Sequence, residues 1–150
     1  MLLLRNEGTR FTDVSGSAGE AFRTPRAARG AAFGDLNNDG FIDVAVCSQL
    51  SKAVVFFSVR NANHWLMIKL IGSVSNRDGI GARIRILTAQ GQQFRTVSTA
   101  SSYLASNDPR AHFGIGGSTI VDTVEIEWPS GRRQSIRAVA ADQVLTVREP

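Results

Sequence analysis

The strongest constraint on this chain is the run Asp35-Leu36-Asn37-Asn38-Asp39-Gly40-Phe41-Ile42-Asp43, a loop crowded with oxygen donors. Side-chain oxygens at its first, third and fifth positions, a glycine at the sixth and a carboxylate at the ninth match the spacing by which a tight loop wraps calcium. On this reading Asp35, Asn37 and Asp39 coordinate through their side chains, Phe41 offers its backbone carbonyl, and Asp43 closes the site directly or through water. Gly40 lets the chain turn with positive φ. Asn-Asp-Gly alone would serve as a hairpin turn. A turn, however, has no need of three carboxylates and an amide aimed at one point, and such like charges repel unless a cation neutralises them. The expected cofactor is therefore Ca2+. The loop is not a full EF-hand, because the twelfth position falls on Val46, where a bidentate Glu is required.

The flanks alternate as strands do, Ala31 to Gly34 entering and Asp43 to Cys47 leaving, with Ile42, Val44 and Val46 on one face. Period-two patterns continue downstream. Leu66, Ile68 and Leu70 share a face, Ile84 and Ile86 alternate with Arg83 and Arg85, and Val124, Ile126 and Trp128 alternate with Glu125 and Glu127. Together with Leu145 and Val147 these are the expected core. Asx-rich and Gly-rich turns separate the strands, which predicts an all-β sandwich or barrel from about residue 64. The polar stretch Arg60-Asn61-Ala62-Asn63 marks the expected boundary between a first unit, 1–60, and a second, 63–150.

The single cysteine, Cys47, excludes an intramolecular disulfide and a zinc cluster, and is expected to be a small core residue. The net charge is +4 and nearly all cations are arginine. They are scattered and accompany no nucleic-acid motif, so a solvated surface is expected and no nucleic-acid partner. Met1-Leu2-Leu3-Leu4 meets Arg5 at once, too short for a signal peptide or a membrane span. Any export signal is expected to lie on sequence outside this chain.

Phe11-Thr12-Asp13-Val14, Ala18-Gly19 and Gly30 to Val44 resemble an FG-GAP or VCBS propeller repeat. Asn63-His64-Trp65-Leu66, Ser75 to Arg83, Tyr103 to Ser106, Asp108-Pro109-Arg110, His112 to Gly116, Val124 to Gly131 and Ala141 to Leu145 resemble the ASPIC/UnbV domain, which follows such repeats. The resemblance implies partial β-propeller blades followed by a β-sandwich-like ASPIC/UnbV domain, a structural calcium site, and a location outside the cell or in the cell envelope. One blade and part of another do not close a ring. The chain is expected to be the C-terminal part of a longer propeller protein, or a truncated paralogue whose sheet edges a partner must cover.

Competing sites are weaker. His112 with Ser101, Ser102 and Asp108 invites a triad, but no nucleophile elbow supports it, and a histidine held by a backbone hydrogen bond is the simpler expectation. Tyr103 and Trp128 are expected as core anchors. Asn76, Arg77 and Asp78 form a polar turn, with Arg77 bridging to a carboxylate, and are a possible interaction turn for a carboxylate or sugar hydroxyl. The reading is a non-enzymatic calcium-binding interaction module with a protein or glycan ligand and possible packing against further blades. The alternative is an accessory protein or enzyme of a bacterial biosynthetic pathway.

Overall fold

Alternation of arginine and isoleucine along residues 83–86 separates solvent from core in the second half of the chain. A computed structural model describes residues 1–150, the side chain of Ala21 excepted. Strand β1 (Leu4–Asn6) pairs antiparallel with β2 (Phe11–Asp13), and a 3-10 turn, Ser15–Ser17, and one short helix, α1 (Glu20–Arg23), follow. Strands β3 (Ala28–Gly34), β4 (Asp43–Ser48) and β5 (Val54–Phe56) form an antiparallel sheet in that order.

The remaining strands are β6 (His64–Ile71), β7 (Arg83–Thr88), β8 (Gly91–Thr96), β9 (Ala111–Gly116), β10 (Ile120–Glu127), β11 (Arg133–Ala140) and β12 (Gln143–Arg148). One sheet has the order β11-β10-β7-β8, all antiparallel, and the other the order β12-β6-β9, in which β12 runs parallel to β6. The two share one apolar core in a sandwich-like arrangement. Leu66, Ile68, Phe113 and Ile115 from the second sheet meet Ile84, Ile86, Val124 and Ile126 from the first, with Trp128 at 2% exposure closing one end. Each such side chain contributes about 1.5–3 kcal/mol by leaving water.

The core expected from the alternation is present: Leu66 through Trp128 and Val147 are buried, and Leu145 is partly buried against them. Two expectations are corrected. Cys47 is exposed, because Val46 takes the inward position beside it and β4 turns successive side chains to opposite faces. Tyr103 is 68% exposed, since its segment lies as a loop over β3 rather than inside the sandwich.

The strands of residues 1–60 close no propeller; they form the hairpin and the three-stranded sheet alone. No strand before residue 57 pairs with one after residue 63 among the described residues. The free edge of β3 is nevertheless covered. Ala31 N–H donates to Ser102 Oγ at 3.3 Å, Phe33 N–H to Asn107 Oδ1 at 2.9 Å, and Asp108 N–H to the Phe33 carbonyl at 3.0 Å. A Cβ at Gly30 would stand 2.5 Å from the Tyr103 carbonyl oxygen, so only glycine admits this close approach.

Candidate metal centre

The loop from Asp35 to Asp43 connects β3 to β4 and is organised by its own carboxylates. Asp35 is buried at 4% exposure, its Oδ1 accepting from Asp39 N–H at 3.0 Å and its Oδ2 from Gly40 N–H at 2.9 Å. Asn37 Oδ1 accepts from the same Asp39 N–H at 3.2 Å, which brings two donor oxygens onto one point. Asn37 Nδ2 donates to Asp39 Oδ2 at 3.1 Å, and Asp39 Oδ1 accepts from Phe41 N–H at 3.0 Å. Asp35, Asn37 and Asp39 are thus brought together. Asp43, fully buried, is tied instead to Leu36 N–H at 3.0 Å and Ser58 N–H at 2.9 Å, fastening the loop to the end of β5.

Among the described residues no three His, Cys, Asp or Glu side chains gather to hold a metal by themselves. The donor set fits a hard cation in type and order, all oxygens, with each hydrogen-bonded carboxylate oxygen retaining a second lone pair. It is not a preformed cage. Asn37 and the Phe41 carbonyl would have to join the carboxylates.

The expected backbone hydrogen bond to His112 is present, but sequence reasoning missed that it and Arg110 hold the loop from outside. Arg110 donates from Nη2 to the Asp35 carbonyl and from Nη1 to Asn38 Oδ1, each at 3.1 Å, while its Nε binds Asp108 at 2.7 Å. His112 lies 2.8 Å through Nε2 from the Gly40 carbonyl oxygen. A carbonyl only accepts, so Nε2 carries the proton. Burial pushes the His112 pKa down and outweighs the Gly40 hydrogen bond and the field of Asp35, which both favour the charged ring. Gly40, at φ +91°, sits against the Trp65 indole, where a Cβ would come within 1.8 Å of Cε2. Trp65 and His112 are stacked, 6.4 Å apart with planes 12° from parallel. The loop is therefore seated on the outer face of β6 and β9. Arg60 adds a contact to the Asp39 carbonyl at 3.2 Å.

The triad is not assembled. Ser102 Oγ is spent on Ala31 N–H and Asp108 on Arg110, while His112 faces Gly40. A different pair forms, His64 Nδ1 to Asp142 Oδ2 at 2.7 Å, in a cleft of about 450 Å³ lined also by Phe41, Arg60, Asn63 and Trp65. That lining offers no serine, threonine or cysteine. In the turn at 76–80, Asn76 Oδ1 accepts from Ile80 N–H and its Nδ2 donates to the Ile80 carbonyl, both at 2.8 Å. Arg77 and Asp78 are exposed beside it, and Arg77 bridges to no carboxylate among the described residues.

No helix among the described residues is long and apolar enough to cross a membrane. The chain is 28% identical over 139 residues to Cartilage acidic protein 1 of Mus musculus, covering 87% of this chain and 21% of that protein. The Homo sapiens protein of the same name is also 28% identical, with 87% and 20% covered, and that of Xenopus tropicalis is 26% identical, with 86% and 20% covered. The chain spans about a fifth of the length of these curated relatives. Residues 72–150, from the segment before β7 through β12, match the family described as ASPIC and UnbV. With more than half of its length so matched, the chain belongs to the ASPIC and UnbV family.

Proposed function

We propose that this chain is a non-enzymatic interaction module acting outside the cell or in the cell envelope, the C-terminal part of a longer propeller protein. Residues 1–60 are then an FG-GAP/VCBS-type repeat, and its loop takes calcium through Asp35, Asn37, Asp39, Asp43 and the Phe41 carbonyl. The observation that carries this reading is the placement of the loop. Arg110, His112 and Trp65 of the sandwich all grip it at Asp35, Asn38 and Gly40, so its rigidity sets how the two parts sit together. Bound calcium supplies the charge that offsets Asp35 and Asp39, with Asp43 turning in to join them.

The word cartilage in the relatives' name, and free calcium levels outside cells that suit a loop of modest affinity, support the location. A protein or glycan partner fits a module in which the His64–Asp142 cleft offers no serine, threonine or cysteine. The enzyme reading has the His64–Asp142 pair and the cleft that holds His112 with Asp108.

Calcium titration followed by tryptophan emission tests the metal. Trp65 touches Gly40 whereas Trp128 is buried in the core, so emission should change with calcium and the response should vanish in Trp65→Phe. Unchanged emission together with coincident melting curves in calcium and in chelator would remove calcium from the proposal.

A further inference from the structure

The outer face of the sheet β11-β10-β7-β8 carries a pattern that solubility alone does not require. Strand register sets Arg83 opposite Glu127 and Glu127 opposite Arg133, and in the next row Phe94 opposite Arg85, Arg85 opposite Glu125 and Glu125 opposite Ser135. A third row holds Leu87, Thr123 and Arg137. Arg85 is engaged by Glu125, Nε to Oε2 at 2.8 Å, and Glu127 is reached by Arg133 at 3.4 Å. Arg83 and Arg137 are left without a carboxylate among the described residues. With four arginines against Glu125, Glu127 and the exposed Asp122 of β10, the face has an excess of one positive charge.

The same face carries a cleft of about 610 Å³ lined by Arg83, Arg85, Phe94, Glu125, Glu127 and Arg133; Phe94 is 59% exposed, and Leu87, 47% exposed, and Arg137 lie outside the cleft. Arginine and aromatic residues without lysine are the composition of protein interfaces. The guanidinium fork is matched to carboxylates. Glu125 and Glu127 stand between the arginines and would repel a uniformly charged polyanion, whereas separate carboxylates could reach the two free arginines and avoid them.

We propose that this face docks an extended acidic segment of a protein partner, with one carboxylate on Arg83, another on Arg137 and an apolar side chain against Phe94. The inference rests on the reading of the chain as an interaction module and gives that module its surface and the chemistry of its partner. Arg83 and Arg137 lie two strands apart and four residues along, about 16 Å, which an extended chain spans in about five residues. Side chains of an extended chain alternate, so only an even spacing turns both carboxylates to the sheet, and acidic positions four apart, with the reach of the side chains, match this span.

The test uses the whole chain and a fluorescent synthetic peptide with Glu at two positions four apart and Leu midway between, all on one face of an extended chain, compared with its Gln counterpart and with dextran sulfate. Measuring in calcium and in chelator keeps a failure of the metal reading distinct from a failure of this one. Saturable binding of the Glu peptide, weakened at least tenfold by R83Q/R137Q with an unchanged melting temperature and not weakened by E125Q/E127Q, is the expected result. Absence of binding at millimolar peptide, equal binding of the Gln peptide, or indifference to R83Q/R137Q would overturn the proposal. Tighter binding of dextran sulfate, strengthened further by E125Q/E127Q, would overturn it in favour of a polyanion site.

Discussion

Ser75 holds both oxygens of the Glu149 carboxylate: its N–H donates to Oε2 at 2.7 Å and its hydroxyl to Oε1 at 2.8 Å. Ser73 and Val74 N–H groups add bonds to Oε2 at 2.8 Å each, and the Ser130 hydroxyl binds Oε1. The carboxylate so ties the end of β12 to the loop after β6 and to the turn after β10. Burial works to raise its pKa, but the Ser130 hydroxyl and the Ser75 and Val74 N–H groups outweigh it and hold the carboxyl far below its ordinary value of about 4.5. A carboxyl that titrates lower in the folded state stabilises the fold fully above its unfolded value, and that stability is lost as pH falls below it. Melting temperature should therefore drop with pH from about 4.5 downward. Glu149→Gln should flatten this dependence and lower the melting point at pH 7 by several degrees, which calorimetry across pH would read.

Gly40→Ala should separate the loop from the sandwich. The added Cβ would fall 1.8 Å from Trp65 Cε2, at a backbone φ of +91° that costs a non-glycine residue roughly 1–2 kcal/mol by itself. We expect the Trp65 indole resonance to shift and stability to fall by about 2–5 kcal/mol, strain and overpacking together. Trp65→Ala in the same chain should restore the steric part and leave the backbone part. A double mutant as unstable as the sum of the single changes would mean that the contact is not the cause.

His112→Ala should loosen the same seat without touching the core, because its ring bonds Gly40 on the face opposite Phe113. Loss of one buried hydrogen bond, with the carbonyl left unpaired, costs about 1–3 kcal/mol. Amide exchange should rise at residues 39–41 and stay unchanged in β7 and β10. Equal loss of protection in both places would show that the residue supports the whole fold instead.

Expressed separately, the piece from Asn63 onward should fold and residues 1–60 should not. The core joins strands of β6 to β12 only, with Val46 outside it. A hairpin and a three-stranded sheet bury too little to oppose chain entropy. The second piece will expose Met67, which is wholly covered in the full chain yet lies outside the main core, so it should self-associate more readily. Amide dispersion in NMR spectra of both pieces is the measurement, and a dispersed spectrum from the first would refute the division.

Strands whose side chains alternate between oil and water were legible from sequence, as β7 and β10 show, since one residue type per face suffices to orient them. Asn76 was legible for a similar reason: its bonds are to Ile80, four residues on. Arg110 and His112 were quoted for the family pattern, but their hold on the Asp35–Asp43 loop 72 to 75 residues away could not be seen, because it is made by packing between sheets. Glu149 escaped for the same cause, its Ser73, Val74 and Ser75 partners lying 74 to 76 residues upstream and Ser130 lying 19 upstream. Cys47 misled because an apolar run hides which of its members faces inward.

The parallel pairing of β12 with β6 has a consequence for biosynthesis. Leu66 waits for Gln143, and Ile71 for Arg148, so the central strand of one sheet has an unmatched side until every other strand of the sandwich has left the ribosome. Contacts of such long sequence separation make folding slow. During that interval β6 offers bare backbone and its apolar side chains to any passing strand. In this chain β6 is thus the strand that gains most from being covered during synthesis.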